Sequence, residues 1–167
     1  IIAGMVVFYK LCMRIDAEYK WNAIAYFPTN ENVRAYKDLM PILGDDPYFL
    51  YNYAAELNVA RFYKESLDIA MKCRHLWSDY DLEMLIAQNC WEINRMVEAE
   101  EHFRLASDMC PNRFMPLYRL VWLLDRQGRQ TEARELATII ISKPVKIPSV
   151  IIERIKSEME NYLTLKI

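Results

Sequence analysis

The stretch Ile93–Arg113, INRMVEAEEHFRLASDMCPNR, decides the fold of this chain. Ala99, Phe103 and Ala106 follow one another at offsets of four and three residues, which places them on one stripe of a helix with 3.6 residues per turn. Two of the three are small, so a neighbouring helix can approach closely. Pro111 then ends the helix, because proline has no N–H to donate and its ring clashes with the preceding turn. The stretch therefore predicts a helix that packs closely along one face.

The same pattern recurs at a period of about 34 residues. Ser66 lies 33 residues before Ala99, and Ala133 lies 34 residues after it. The stripe positions recur in phase, as do the small positions of the preceding helices: Ala70, Phe103 and Ala137; Cys73, Ala106 and Ile140; Ala54, Ala87 and Val121. A period of this length with A-x₃-F and a following Pro resembles the tetratricopeptide repeat (TPR). The alternative is an ordinary helical bundle with accidental spacing, and three units in phase weigh against it.

The predicted fold is therefore all-α, a TPR-like α-α superhelix with a C-terminal capping helix. Each unit is two antiparallel helices, which bury their apolar faces only by stacking on their neighbours. We expect Asn30 to cap the second helix of the first unit and Ser149 to cap the final helix. The predicted ranges are 13–46 for a degenerate repeat, 47–79, 80–113 and 114–145 for regular repeats, and 149–164 for the capping helix.

The segment 1–12, IIAGMVVFYKLC, allows two interpretations. It is apolar up to Lys10, which is too short to cross a bilayer alone, since a spanning helix needs about 20 apolar residues. Its positive charges follow the apolar run, whereas a secretory signal carries them first. The segment is either the end of a transmembrane helix or the first helix of the bundle. The helix continues with apolar residues at helical spacing, namely Ile15, Tyr19, Ala23 and Tyr26.

Composition and motifs exclude several classes of function. The net charge is −2, which does not favour nucleic-acid binding. No nucleotide-binding, nucleophile or zinc-protease motif is present, so we expect no catalytic residue, no metal and no cofactor. The acidic residues of 79–101 are expected to form a solvated face, and the basic excess of 112–146 either aids solubility or orients an acidic partner. We expect the cysteines to be small core residues with free thiols, with disulfides or a metal site as the alternative: Cys12, Cys73, Cys90 and Cys110.

The candidate binding site is the concave groove, which the first helices of successive TPR units line. Tyr, Trp and Arg, the types that dominate binding hot spots, recur there and could hold a peptide or a sugar. The alternative is that some of these aromatic rings only pack between helices. A carboxylate clamp of Lys and Asn is disfavoured, because Tyr51, Ala55 and Leu85 hold its positions and only Arg119 is suitable. The candidates are Tyr48, Tyr51, Asn52, Asn58, Met84, Gln88, Trp91, Tyr118, Arg119, Trp122 and Arg126.

Three stretches carry a closer resemblance. FLYNYAAELN at 49–58, PNRFMPLYRL at 111–120 and KPVKIPS at 143–149 resemble the C-terminal soluble region of bacterial O-antigen ligase or polymerase-like membrane proteins, over about 21–163. In that family a multi-spanning membrane part precedes the TPR region and holds the catalytic loops. The resemblance implies that segment 1–12 ends the last membrane helix, and that no catalytic residue can be carried over to this chain.

Two functions are compatible with these features of the sequence. The first is a non-catalytic docking domain of a membrane protein that transfers or polymerises lipid-linked O-antigen-type glycans, attached to the bacterial inner membrane. Its partner is a protein or peptide, a glycan or another copy. The alternative is a free-standing soluble TPR adaptor or assembly factor that binds a peptide partner. An enzyme in its own right is disfavoured, because the motifs are missing.

Overall fold

The computed structural model describes residues 2–26 and 32–165, and its regular structure is α-helical throughout those residues. The predicted all-α class is therefore confirmed, while the expected cap at Asn30 lies outside the described residues. The chain divides into two compact units, Ile1–Ser78 and Asp79–Ile167, each described by itself. The first unit holds α1 Ile2–Tyr26, α2 Asn32–Leu43, α3 Pro47–Val59 and α4 Tyr63–Leu76. The second holds α5 Tyr80–Glu92, α6 Met96–Met109, α7 Met115–Arg126, α8 Gln130–Ser142 and α9 Val150–Leu165.

The small positions that recur along the sequence are buried in both units. In the first unit Ala54 and Ala70 are fully buried where α3 meets α4. The Ser66 hydroxyl donates a hydrogen bond of 2.7 Å to the Ala54 carbonyl, which satisfies a polar group in a dry interface. In the second unit the matching residues, Ala99, Phe103 and Ala106, are also fully buried. The repeated stripe is therefore the face that packs each helical pair.

Three turns between paired helices share one backbone conformation. Arg61, Asn94 and Gly128 have φ values of 64°, 63° and 76°, in the left-handed region. In each turn the next N–H bonds the carbonyl five residues back: Phe62 to Leu57, Arg95 to Cys90 and Arg129 to Leu124, at 2.8, 2.7 and 2.9 Å. This arrangement satisfies carbonyls that a helix end leaves free. The period seen in the sequence therefore recurs in the backbone as well as in the packing stripe.

The core of the first unit is aromatic. The buried Phe49 ring lies 5.5 Å from the Tyr36 ring and 5.6 Å from the Trp21 ring, which ties α3 to α2 and α1. Asp46 fixes the start of α3, because its carboxylate accepts hydrogen bonds from the N–H groups of Tyr48 and Phe49. A side-chain cap of this kind stabilises a helix by about 1 kcal/mol.

Helix α1 buries little of its apolar surface. It runs unbroken through Cys12, as predicted, so residues 2–12 are continuous with the rest of the helix. Ile15, Tyr19, Ala23 and Tyr26 lie at helical spacing as predicted, but they are exposed, whereas Ala17 is buried. The physical reason is that α1 is apolar on several sides, so spacing alone does not select a face, while the small Ala17 lets α2 come close. None of the described helices is both long enough and apolar enough to span a membrane.

Helix α9 covers the last helical pair, α7 and α8. Its buried Ile155, Met159 and Tyr162 pack on residues of both helices, with Ala137 and Ile140 among them. The Ser149 hydroxyl accepts a hydrogen bond from the Ile152 N–H at 3.3 Å, as its predicted capping role requires. The Lys156 ammonium donates to the carbonyls of Ile141 and Lys143, both at 2.7 Å. These bonds satisfy carbonyls at the end of α8 that would otherwise lack partners.

The cysteines and one histidine take different environments. None of the four thiols, all within the described residues, forms a disulfide, and Cys73 and Cys90 are buried, whereas Cys12 is exposed on α1. Burial raises the pKa of the Cys90 thiol to about 11, so this thiol is inert at neutral pH. The Nδ1 of the partly buried His102 lies 2.5 Å from a carboxylate oxygen of Glu83, a residue that is fully buried. The pair joins α5 to α6 inside the second unit.

Candidate functional site

The predicted groove residues fall in both units, so their surroundings are described unit by unit. In the first unit, Tyr48 is 62% exposed at the start of α3. Its ring centre lies 5.5 Å from that of Trp77, and the ring of Tyr51 stands edge-on to the same indole at 6.4 Å. We name Tyr48, Tyr51 and Trp77 the aromatic patch. Asn52 and Asn58, further along α3, are partly exposed.

Trp77 is a member of the aromatic patch that the repeat pattern does not predict. It lies one residue past α4, with an extended backbone, and so falls outside the helix positions that line a groove. One feature of the sequence could have identified Trp77 as a surface residue. It lies between the end of α4 and the cap residue Asp79, outside any helix, so its large ring does not belong to the packing face of a helix. Because Asp46 fixes the first turn of α3, Tyr48 is presented beside Trp77 on a rigid element.

In the second unit the α5 candidates are engaged within the unit. The Gln88 amide donates a hydrogen bond of 2.6 Å to the Glu92 carboxylate. The Trp91 ring stands edge-on to the buried Phe103 ring at 6.0 Å, so it packs between α5 and α6. Met84 is partly buried. These side chains are thus less available to a ligand than those of the aromatic patch.

The α7 candidates divide into packed rings and outward cations. Trp122 lies edge-on to both Tyr118, at 6.2 Å, and Tyr162, at 5.5 Å, so its ring packs between α7 and α9. The Tyr118 hydroxyl donates to the Glu158 carboxylate at 2.6 Å, and burial together with this bond raises the pKa of Tyr118. Arg119 is partly exposed and Arg126 is exposed. A cavity of about 350 Å³ adjoins Trp122, Glu158 and Tyr162.

The ionisable side chains of the described residues form pairs rather than larger clusters of metal ligands. Among residues 2–26 and 32–165, no group of three or more His, Cys, Asp and Glu side chains could hold a metal ion. The close pairs of ionisable groups are structural. Arg129 at the start of α8, for example, contacts both Glu100 of α6 and Glu132 of its own helix.

Solved structures establish the type of fold. A crystal structure of the MamA protein matches with a TM-score of 0.72 at 14% identity, covering 90% of this chain and 88% of that one. MamA from residue 41 to its end, from Desulfovibrio magneticus RS-1, matches with a TM-score of 0.68 at 16% identity, covering 75% of this chain and 72% of that one. YrrB, described as a TPR protein with an unusual peptide-binding site, matches with a TM-score of 0.66 at 14% identity, covering 87% and 75%.

These similarities show a TPR-like helical fold and, at such low identity, the fold alone. No family model and no curated protein matches this chain. The expected resemblance to O-antigen ligase-like membrane proteins finds no support in the comparisons. The groove residues stay a prediction, to which the structure adds Trp77 and from which it sets Trp91 and Trp122 apart as packed rings.

Proposed function

We propose that this chain is a non-catalytic TPR-like adaptor that binds a peptide or protein partner through its first unit. The observation that carries the proposal is the aromatic patch, in which Tyr48 and Tyr51 flank Trp77 and Tyr48 is 62% exposed. An exposed aromatic ring on a capped helix loses little freedom when a partner covers it. The fold is one in which YrrB is described as having a peptide-binding site, which supports a peptide as the partner.

The contacts of the patch indicate how it would bind. Its three rings form an apolar surface in which Trp77 supports the more exposed Tyr48 from one side. Tyrosine and tryptophan combine large apolar area with a polar group, so they can contact both the side chains and the backbone of a peptide. Asn52 follows on the same helix and is partly exposed, so its amide could contribute a polar contact further along α3.

The test uses a random peptide library displayed on phage, selected against the whole purified chain. Selected peptides are then titrated by fluorescence anisotropy against Tyr48→Ala, Trp77→Ala and the control Tyr19→Ala, which removes an exposed tyrosine of α1. The patch variants should weaken binding at least about tenfold, as removal of a hot spot does, while the control should bind normally. Peptides that bind all variants equally would exclude the patch, and failure to select any peptide would count against the adaptor itself.

A second candidate is a docking domain of an inner-membrane protein that transfers or polymerises O-antigen-type glycans. It is favoured by one observation, the exposed apolar start of α1. Ile2, Met5, Val7 and Phe8 are 80%, 67%, 66% and 68% exposed, and these residues lie on several sides of the helix. A helix that is apolar all round is normally surrounded by an apolar medium. Lys10 follows directly, where a cation can reach lipid headgroups.

Vesicle flotation separates the second candidate from the first. The wild-type chain and the double variant Val7→Ser, Phe8→Ser are mixed with phosphatidylcholine vesicles, with and without lipopolysaccharide. Membrane attachment through α1 predicts that the double variant floats at least about tenfold less well, since each apolar side chain contributes about 1.5–3 kcal/mol. A docking role on glycans further predicts stronger flotation with lipopolysaccharide. Equal behaviour of both proteins on both vesicles would leave the adaptor as the better proposal.

A further inference from the structure

We propose that a second binding site lies in the second unit, where a small apolar pocket with basic residues around it takes an acidic peptide segment by one apolar side chain. The inference deepens the proposed adaptor function and rests on it. The pocket measures about 290 Å³ and lies where the starts of α5, α7 and α9 meet. We name it the Arg113 pocket, and its lining includes Tyr80, Arg113, Phe114, Ser149, Ile151 and Ile152.

The floor of the pocket is apolar and rigid. Phe114 and Ile155 are 6% and 3% exposed, so they belong to the core that joins α7 to α9. Ile151 is 56% exposed although it begins an amphipathic helix, and it lies at the mouth of the pocket. The volume of the pocket is at the lower end of the range for ligand pockets, which suits a single inserted side chain better than a whole cofactor.

Three cations lie against aromatic rings of the pocket, and one of them, Arg113, lines it. The Arg113 guanidinium is exposed and lies 5.2 Å from the centre of the Tyr80 ring. The ammonium groups of Lys143 and Lys156 lie 5.1 and 5.8 Å from the centre of the Phe114 ring. The Lys143 ammonium also donates a hydrogen bond of 2.9 Å to the backbone carbonyl of Arg113, which ties Lys143 to the loop before α7.

Within residues 32–165 these three cations form no ion pair with a carboxylate, although Lys143 and Lys156 donate to backbone carbonyls. Arg14 and Arg129 form ion pairs with acidic side chains, but within 32–165 none of Arg113, Lys143 and Lys156 does. The first turns of α5 and α9 carry Asp81 and Glu153, yet neither forms an ion pair with the three cations. Partial burial lowers the pKa of Lys143, so its charge is incompletely solvated and an incoming carboxylate would gain from it.

Charge complementarity therefore selects the occupant. A neutral apolar segment would fill the floor but leave the cations uncompensated, whereas a small anion would pair with Arg113 but leave Ile151 and Ile152 in water. A peptide with Asp or Glu on both sides of a leucine meets both requirements. The carboxylates would accept charge-assisted hydrogen bonds from Arg113 and Lys143 while the leucine contacts Phe114 and Ile152.

The experiment titrates three fluorescein-labelled peptides against the whole chain: a leucine flanked by Asp and Glu, the same peptide with Lys in place of the acids, and the acidic peptide with Ser in place of leucine. Arg113→Ala and Ile151→Ser should each weaken binding of the acidic leucine peptide, the former roughly tenfold, as loss of a charged hydrogen bond does. Arg34→Ala, which removes an exposed arginine of α2, should not. The basic and the serine peptides should bind wild type more weakly.

Each other result overturns the proposal. Equal binding of all three peptides, or equal binding by Arg113→Ala and wild type, removes the site. Loss of binding in Tyr48→Ala but not in Arg113→Ala assigns the peptide to the aromatic patch, so the adaptor function stands and this site falls. Arg113-dependent binding of phosphatidylglycerol vesicles without peptide binding assigns the cations to a lipid surface. If no peptide binds here and none can be selected from the library, the adaptor function fails as well.

Discussion

The hydroxyl of Tyr162 donates a hydrogen bond of 2.9 Å to the carboxylate of Asp125, and so joins the capping helix to the last turn of α7. Burial and this bond raise the pKa of the Tyr162 hydroxyl to about 12, against 10.0 for an ordinary tyrosine. The neutral hydroxyl is the form that fits the folded state. In the unfolded chain the same group ionises near its ordinary pKa, so the contact has a defined pH dependence.

The first prediction concerns alkaline pH. The folded chain holds the Tyr162 proton more strongly than the unfolded chain does. The contribution of this hydroxyl to the free energy of unfolding is therefore fully present below pH 10 and is lost as the pH rises towards about 12. Tyr162→Phe should cost about 1 kcal/mol at neutral pH, the usual value of one hydrogen bond. Urea unfolding at several pH values measures both effects. The variant should lose less stability than wild type above pH 10, and identical pH profiles would contradict the role of this hydroxyl.

The second prediction concerns the three left-handed turns. Gly128→Ala should destabilise the chain by about 1 kcal/mol, because alanine is strained at a φ of 76° although the space around its Cβ is open. Arg61→Gly should stabilise by about 0.5 kcal/mol, since glycine relieves the same strain at a φ of 64°.

Thermal unfolding measures the stability of both variants, and a third variant, in which glycine is expected to destabilise, serves as the control. Lys72→Gly places glycine inside α4 and should cost about 1 kcal/mol. If Arg61→Gly lowered stability as much as Lys72→Gly does, the turn at 61 would not be under backbone strain.

The third prediction separates packed rings from binding residues on α7. Trp122→Ala should lower stability by about 3 kcal/mol, because the ring packs between Tyr118 and Tyr162 and leaves a cavity when removed. Arg126→Ala should leave stability unchanged, since this side chain is exposed. Chemical denaturation measures both. A Trp122→Ala protein as stable as wild type would return this residue to the list of groove candidates.

The fourth prediction concerns the buried carboxylate of the second unit. His102→Ala removes a hydrogen-bond partner from Glu83, a fully buried group, and should cost about 2 kcal/mol in urea unfolding at neutral pH. His75→Ala, at an exposed position of α4, serves as the matched control and should cost little. Equal stability of the two variants would show that the Glu83 carboxylate does not depend on His102.

The sequence predicts the repeat well because its signal is periodic and local. Small residues at Ser66, Ala99 and Ala133 mark the same close contact three times, and all three are fully buried. Helix starts follow from proline and cap residues, as Asp46 and Pro47 show at α3. Such features act over one or two turns, so a single sequence is enough to place them.

Contacts between distant positions are what the sequence does not predict. Trp77 joins the aromatic patch only because the end of α4 returns to the start of α3. Glu83 belongs to the acidic residues of 79–101 that are expected to face solvent. It is instead buried beside His102, which lies 19 residues away in the sequence. The buried position of α1, Ala17, is not predicted for another reason, since a helix apolar on several sides has no periodic preference for one of them.

The position of α9 determines where a further helical repeat could be added to this chain by engineering. Its apolar residues already occupy the face of α7 and α8 on which another helical pair would stack, and Lys156 uses the free carbonyls at the end of α8. A designed repeat fused after residue 165 would therefore find no surface to extend. The same repeat inserted between Ser142 and Ser149 would instead pack on the face of α7 and α8 that α9 now covers. Helix α9 would then move to the end of the inserted repeat, whose last two helices must present the same apolar residues to it.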